Sequence, residues 1–438
     1  MFSELKTTEG KYMQKKLQAL TKTILFLILA VALIWGLNLL CKPRWNENWF
    51  STPNVSGMYD LPKDSIEALG LGTSITLRGF SPLTFYEEYG ISAYNLATEA
   101  QPMMGSYYLL KEFLRNQSPK VVYVEVWGLF DDSNNEAMYR KAFDYMKLSS
   151  NKWEAIKERS KMDGSSSLLS YVFPLYMYHT GWKDINKAQL TEFNATEHPL
   201  YFEGFVMNNQ TYYPDEEISG WTSTGSELYD FVELNYKYLK KITDLCRSKG
   251  IQVILYKGPE VDWSKEKHNT VQKFADEAGV PFIDFRMKEV IDETGFDFSV
   301  DMADPTHTNT NGAIEVSSYL ALKASEFAAF KDGRLKGLYP WLDESLARFN
   351  RERLNEDLTR VWDGVEYLSR VAALEKEDYT VYKAENDLGE ATSVIIAGTE
   401  YLLNQKGLNI VVYDNQNNHV VDSVTIDTSQ EGELLLYR

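Results

Sequence analysis

The sequence predicts an α/β protein in which a parallel sheet of about five strands carries helices on both faces. Between residues 65 and 330, short apolar runs alternate with longer segments of helical spacing. The strongest run, Lys120–Trp127, is rich in valine, as buried strands are. Strands that alternate with helices of this length form parallel sheets covered on both sides. One uncharged apolar stretch precedes this unit, and a small α+β unit follows it.

The bulk composition narrows the class of protein. The 438 residues are enough for two or three domains and a large core. The chain has 63 acidic and 45 basic residues, and this balance argues against a nucleic-acid binder. Cys41 lies at the end of the first apolar stretch and Cys246 on the apolar side of a predicted helix, so we expect no disulfide between them. No metal-ligand spacing and no glycine-rich phosphate loop occurs, so we expect neither a metal nor a cofactor.

The first apolar stretch is a predicted membrane span. Residues 23–41 contain no charge and are long enough to cross a bilayer as one helix. The positive-inside rule predicts that residues 1–22 are cytoplasmic and that the main domain is extracellular. A cleaved signal peptide is the alternative, but the run is long for one and no small-residue cleavage site follows it. The basic residues that precede the span are Lys6, Lys11, Lys15, Lys16 and Lys22.

The elements of the main domain follow in order. Residues 42–64 have the composition of a polar stalk, and residues 65–330 form the main domain. Its predicted strands are Ile66–Gly72, Ile91–Ala97, Lys120–Trp127, Gln252–Tyr256 and Val280–Phe285. Its predicted helices are Met104–Asn116, Ser226–Lys249 (ended by Gly250), Glu266–Ala278 and Gly312–Phe330.

Residues 130–225 interrupt this alternation after the third strand. They are polar and aromatic-rich, and they predict either a lid over the active site or an insertion without function. Residues 331–377 predict a helical linker, and residues 378–438 predict a small α+β domain. The elements predicted for that domain are strand Tyr379–Tyr382, helix Thr392–Gln405, and strands Leu408–Tyr413 and His419–Ile426 around an asparagine-rich turn.

Two distant stretches together predict a catalytic site. Ser74 follows the first strand, where Gly72 breaks it, and Asp304-Pro-Thr-His307 lies between the last strand and the last helix. A carboxylate three residues before a histidine can fix its tautomer, and the imidazole can then take the proton of a serine. Either motif alone is weak, so the prediction rests on their paired positions in the sheet.

These motifs resemble those of the flavodoxin-like SGNH (GDSL-like) hydrolases, over about residues 66–330 without most of the insertion. Gly72-Thr-Ser74 resembles the nucleophile block, Tyr94–Ala100 the second block, and Asp304–His307 with the following Asn309, Asn311 and Gly312 the last one. The strand at Val253–Leu255 and the following Tyr256–Pro259 look similar as well. Within the superfamily the chain looks most like the membrane-anchored branch of surface-polysaccharide acylation, the DltD family and the alginate O-acetylation proteins.

The resemblance implies roles for individual residues. Ser74 would be the nucleophile, His307 the base and then the acid, and Asp304 the orienting carboxylate. The backbone N–H groups of Ser74 and Ala100 would form the oxyanion hole. The candidate substrate-binding residues are Arg78, His179, Trp182 and Lys257. We expect His198, His268 and His419 to be in solvent, and Asn194–Thr196 is a glycosylation acceptor only in a eukaryotic secretory pathway.

Three positions depart from the family pattern. Thr73 replaces the usual aspartate before the nucleophile, and Ile75 stands where this branch often has histidine. Leu129, in the third block Glu125–Leu129, stands where hydrolases have an oxyanion asparagine. The acyltransferase branch shares this last change, so it favours transfer over hydrolysis. A pseudoenzyme also stays open.

The sequence therefore predicts a membrane-anchored extracytoplasmic O-acyltransferase. It would pass an acetyl or D-alanyl group from Ser74 to a cell-surface polysaccharide or teichoic acid. The resemblance implies that a membrane-bound O-acyltransferase partner supplies the acyl group. The alternatives are a surface-glycan esterase of the same fold and a non-catalytic scaffold that binds cell-envelope polymer.

Overall fold

The central sheet has five parallel strands in the order β2-β1-β3-β4-β5. The prediction of a five-stranded parallel sheet is confirmed. Chain order reverses at β1, whose neighbours are β2 and β3, and the carboxyl ends of strands at such a switch point open into a crevice. The strands are β1 Ala68–Leu71, β2 Ala93–Asn95, β3 Val121–Glu125, β4 Gln252–Lys257 and β5 Phe282–Asp284.

The computed structural model describes residues 2–43, 51–133, 135–162, 168–185, 187–191, 198, 201–335, 337–360, 364–374, 379–386, 392–396, 399–403, 407–416, 419–428 and 434–437.

Helices cover both faces of this sheet. Along β3, Val122 and Val124 point into one core, and Val121 and Tyr123 point into the other. This alternation follows from the two-residue period of a strand. The helices on the first face are α5 Met103–Phe113, α11 Glu233–Ser248 and α12 Lys265–Ala278. Those on the second face are α4 Pro82–Tyr89, α13 Lys288–Thr294 and α14 Thr310–Phe327.

Helix α11 begins seven residues later than the sequence predicts. The backbone of Tyr229 both donates to and accepts from the hydroxyl of Thr270 on α12, at 2.8 and 2.7 Å. These bonds hold the chain before α11 in an irregular path, so Leu228 and Phe231 precede the helix although they fit its apolar stripe. The helix ends as predicted, with Gly250 in the left-handed region at φ 69°.

The insertion is part of the main domain. Helices α6 Glu136–Phe143 and α7 Ser150–Arg159 add Phe143 and Ile156 to the core beside α5. A later part of the insertion, residues 201–212, runs beside the helix that begins at Ser74, where the Val206 N–H donates to the Leu77 carbonyl at 3.1 Å. The remaining helices are α8 Leu168–Val172, α9 Leu175–Tyr178, a 3₁₀ turn at Gly181–Asp184 and α10 Lys187–Thr191. The predicted glycosylation acceptor at 194–196 lies outside the described residues.

The N-terminal helix α1 runs from Phe2 to Cys41. Its Tyr12–Cys41 portion is long and apolar enough to cross a membrane, and little of it is buried by the rest of the chain. After it, residues 51–61 differ from the predicted stalk. Helix α2, Thr52–Gly57, is largely buried. The Asn54 amide attaches it to the main domain by donating to the carbonyls of Ala97 and Gly204.

The C-terminal unit is an antiparallel sheet packed against two helices, α15 Pro340–Arg360 and α16 Gly364–Leu374. The predicted helix at 392–405 is wrong over the residues described there. Residues 392–396 and 399–403 are paired antiparallel strands, since a run of Val394, Ile395 and Ile396 favours a strand over a helix. The sheet has the order β11-β10-β9-β6, and a separate pair is β7-β8. The strands are β6 Tyr379–Asn386, β7 Thr392–Ile396, β8 Thr399–Leu403, β9 Gly407–Asp414, β10 His419–Thr428 and β11 Leu434–Tyr437.

We predict that Arg351→Ala destabilises the C-terminal unit by about 3 kcal/mol or more, because a buried carboxylate loses its cation. Arg351 on α15 makes two bonds of 2.7 and 2.6 Å to Asp414, which is fully buried. Hydrogen exchange of β9 and β10 measures the loss. The matched control is Arg370→Ala, which breaks the exposed pair with Glu366 and should cost about 0.5 kcal/mol or less. Equal exchange in the two variants would contradict the prediction.

Candidate active site

The serine loop joins β1 to helix α3, Ser74–Gly79. A side chain at Gly72 would place its Cβ 2.1 Å from the Thr76 hydroxyl oxygen and 2.6 Å from the Glu125 Cβ. Glycine is therefore required where the chain leaves the sheet. Thr73 caps α3 by accepting a hydrogen bond from the Ile75 N–H at 3.4 Å. These constraints place Ser74 at the first position of the helix, at the carboxyl end of β1.

His307 lies directly beside Ser74. Its Nε2 is 2.8 Å from the Ser74 Oγ, although the two residues are 233 positions apart in sequence. Its Nδ1 lies 2.9 and 2.8 Å from the two carboxylate oxygens of Asp304. An ionised carboxylate only accepts hydrogen bonds, so the ring proton belongs on Nδ1. Nε2 is then free to accept the serine proton, which is the tautomer that a general base needs.

Asp304 is held in its ionised form. Burial alone would raise the pKa of Asp304, but bonds from the His307 ring and the N–H groups of Thr306 and His307 lower it to about 2. The two backbone bonds, of 2.8 and 3.0 Å, close the loop around the carboxylate. Arg78 on α3 adds a positive charge, with its guanidinium 3.9 Å from the Asp304 carboxylate. The negative charge that stabilises an imidazolium is thus present at any physiological pH.

The loop that carries His307 is also hydrogen-bonded to the helix that begins at Ser74. The Thr308 hydroxyl donates to the Arg78 carbonyl at 2.9 Å. Asn309 caps α14 by accepting from the Gly312 N–H at 3.1 Å. On the other side of α3, the Asn95 amide at the end of β2 donates to the carbonyls of Thr76 and Phe80, both at 2.8 Å. A hydrogen bond therefore joins the histidine loop to α3, whose first residue is Ser74.

Beneath the serine loop lies a buried carboxylate, Glu125 at the end of β3. It accepts from the Thr73 hydroxyl at 3.1 Å and from the Trp127 N–H at 2.8 Å. The Lys257 ammonium is 3.9 Å from Glu125 and 2.9 Å from Glu260. Burial raises the pKa of Glu125 to about 7, against the opposing effect of Lys257. Glu125 is not among the site residues predicted from the sequence, although an acidic residue at the end of an apolar strand is a usable signal.

The predicted oxyanion donors lie on two different loops. Ala100 adopts φ 47°, in the left-handed region where glycine is preferred, which matches the glycine that the resembled family often has there. Leu129 is fully buried in the core, and its hydrocarbon side chain has no hydrogen-bond donor to offer the site. The roles of the Ser74 and Ala100 N–H groups stay a prediction.

The four candidate substrate-binding residues have different settings. Arg78 lies at the triad. Lys257 is fully buried under the serine loop, so its side chain is not accessible for the predicted contact with substrate. His179 and Trp182 are exposed near the end of α1, and no described contact joins them to the triad.

The prediction that His268 is in solvent is wrong. His268 is buried, and its Nδ1 lies 2.7 Å from the Asp284 carboxylate at the end of β5. The helical period of α12 turns it toward the sheet, where the acidic residue pairs with it.

Comparisons with known proteins add little to this geometry. No protein-family model matches the sequence, and no curated protein matches it. A solved structure described as a lipolytic protein of the G-D-S-L family from Desulfitobacterium hafniense is 11% identical, with a TM-score of 0.29, over 58% of this chain and 98% of that one. A GDSL-like lipase from Bacteroides thetaiotaomicron is 10% identical, with a TM-score of 0.29, over 64% and 98%. Likenesses this low carry no argument about activity, which has to rest on the site itself.

We predict that Ala100→Gly keeps the reactivity of Ser74 and raises stability by up to about 1 kcal/mol, because it relieves a left-handed backbone and leaves the N–H donor in place. Labelling by a fluorophosphonate and thermal unfolding measure the two effects. Ala100→Val, with a β-branched side chain, should unfold at lower temperature. A labelling rate that fell by roughly 100-fold in Ala100→Gly, as for a lost oxyanion donor, would contradict the prediction.

We predict that the wild-type chain loses stability relative to Glu125→Gln as the pH rises from 4.5 to about 7. In this window the folded chain still holds a proton that the unfolded chain releases, so rising pH favours unfolding, by roughly 3 kcal/mol over the window. Urea unfolding of both proteins across the range measures the difference. The contributions of carboxyl groups that do not interact with Glu125 or Lys257 are common to both proteins and cancel. Parallel stability curves would show that folding does not raise the pKa of Glu125, and would contradict the prediction.

Proposed function

We propose that this chain is a membrane-anchored serine O-acyltransferase that acts outside the cell membrane. The observation that carries the proposal is the 2.8 Å contact between the Ser74 Oγ and the His307 Nε2, with Asp304 behind the ring. A serine so placed can form an acyl-enzyme, which divides one difficult transfer into two easier steps.

In the first step, the Ser74 oxygen attacks the carbonyl carbon of the acyl donor while His307 takes the serine proton. The tetrahedral intermediate collapses when the donor's leaving group departs with that proton from His307. In the second step, His307 takes the proton of an acceptor hydroxyl, whose oxygen attacks the acyl carbon. Ser74 leaves, recovers the proton, and the acyl group ends on the acceptor. The N–H groups of Ser74 and Ala100 would stabilise both oxyanions.

The acceptor distinguishes a transferase from an esterase. We favour transfer to a hydroxyl of a surface polysaccharide or teichoic acid, because Leu129 supplies no side-chain donor where hydrolases of the resembled family have asparagine. The lysines in the first half of α1, before its uncharged stretch at residues 23–41, support a cytoplasmic N-terminus, which would place the site beside such polymers. An acetyl or D-alanyl donor, delivered by a membrane-bound O-acyltransferase, is what the resemblance to the DltD family implies.

We predict that Ser74→Ala abolishes fluorophosphonate labelling of the full-length chain, because the nucleophilic oxygen is gone. His307→Gln should slow labelling by roughly 10⁴-fold, through loss of the base. Ser118→Ala, at an exposed serine whose hydroxyl binds Asp64, is the matched control and should label like wild type. Labelling of Ser74→Ala at the wild-type rate would refute the nucleophile assignment.

Acceptor assays separate the two enzymes. Wild-type chain in detergent should pass acyl groups from an activated ester to an added oligosaccharide faster than to water. Rapid hydrolysis without any transfer would instead identify an esterase. Surface acyl content that is lost in a deletion strain but kept in a Ser74→Ala strain would identify a scaffold.

A further inference from the structure

Exposed apolar side chains cluster on one part of the insertion, residues 168–184, which we call the foot. The foot comprises α8, α9 and the following 3₁₀ turn. Tyr176 is 70% exposed and Trp182 is 62% exposed, which is unusual for side chains of this size. The exposed large apolar side chains of the foot are Leu169, Phe173, Tyr176, Met177 and Trp182.

The foot is attached to the end of α1. The Leu175 N–H, at the start of α9, donates to the side-chain oxygen of Asn38 at 2.8 Å. Gly181 packs so closely on α1 that an added Cβ would lie 2.2 Å from the Cys41 carbonyl oxygen. The Lys42 ammonium adds a bond of 3.3 Å to the Asp144 carbonyl, next to the foot. The foot is therefore fixed to the anchor helix by backbone and side-chain contacts.

The position along α1 at which the foot is attached determines which layer of the bilayer the foot would contact. Asn38 is three residues before Cys41, so it lies about 4.5 Å inside the end of the apolar helix. Helix α9 thus starts beside the apolar span rather than beyond it. Segments at this depth face the boundary between headgroups and acyl chains, where phenylalanine, tyrosine and tryptophan are enriched. Lys183 follows Trp182 and can reach the headgroups.

We infer that the foot lies in the outer boundary layer of the same bilayer that α1 spans, with Phe173, Tyr176 and Trp182 among the lipids. The inference rests on the membrane anchor of the proposed function. A single spanning helix leaves the attached domain free to tilt and rotate. The foot adds a second contact with the bilayer, and it thereby fixes the orientation of the catalytic domain relative to the membrane surface.

Lipid is the occupant that the structure favours, because α9 and the 3₁₀ turn of the foot pack beside the apolar end of α1. Leu37 and Leu39, which flank Asn38 near the end of α1, are 39% and 40% exposed. A protein partner that covered the foot alone would leave this adjoining surface bare.

The test measures how close the foot lies to lipid in the full-length chain. Single cysteines replace Phe173 or Tyr176, and each is labelled with an environment-sensitive fluorophore after reconstitution into lipid nanodiscs. Leu33→Cys, in α1, is the positive control, and Leu322→Cys, on α14 on the other face of the sheet, is the negative control. Unsubstituted chain gives the background from Cys41 and Cys246, which are both buried. Lipids that carry a quenching doxyl group near the headgroup or near the chain end report the depth.

Quenching at positions 173 and 176 by the shallow doxyl group, well above that at position 322 and above that by the deep group, is the expected result. An apolar face in the boundary layer lies roughly 5–10 Å deep, within reach of the shallow group only. Quenching at 33 without quenching at 173 and 176 would overturn the inference while the anchor stands, and would point to a protein partner for the foot. No quenching at any position would overturn the anchor itself. Fluorophosphonate labelling of Ser74 at the wild-type rate verifies that each variant is folded.

Discussion

The contact on which the site depends is the hydrogen bond between the Ser74 hydroxyl and the His307 imidazole. It exists because two loops are held at one edge of the sheet by bonds that involve neither side chain. Thr308 binds the backbone of α3, and Asn95 binds it from the other side. Asp304 is surrounded by the N–H groups of its own loop. The proposed chemistry would therefore rest on backbone geometry that is complete before substrate arrives, which is the condition for efficient general-base catalysis.

A buried acid–base pair supports the same loop from below. Burial of a carboxylate is costly, and Glu125 offsets that cost with the Thr73 hydroxyl, the Trp127 N–H and the nearby Lys257 ammonium. In the resembled family an aspartate stands at the position of Thr73. Here the carboxylate comes instead from the neighbouring strand, and Thr73 joins it to the helix cap. Thr73, which replaces the family's aspartate, therefore both caps α3 and binds the serine loop to the end of β3.

Helix α1 and the foot would hold the catalytic domain at the membrane, as the proposed function requires. An acyl donor delivered through the bilayer and an acceptor polymer outside it meet only if the serine is held at a defined position near the surface. In the proposed function, α1 would limit the distance of the domain from the membrane, and the foot would limit its tilt. His179 and Trp182 are candidate substrate-binding residues from the sequence, within the insertion that follows the third strand. Their place beside α1 suits lipid contact better.

Local patterns determined the sheet, the apolar helix and the residue types of the site. A continuous apolar, valine-rich run marks Val121 to Val124 as a buried strand, and the loop positions of Ser74 and His307 follow from the strands before them. Only the tertiary structure decided what those patterns leave open. Period and composition cannot show that Lys257 is enclosed, that His268 meets Asp284, or that Leu175 binds Asn38. They also misassigned residues 392–396, where a β-branched run pairs with a neighbouring strand instead of forming a helix. Such outcomes depend on partners distant in sequence, and a contact between distant residues has no signature in either segment alone.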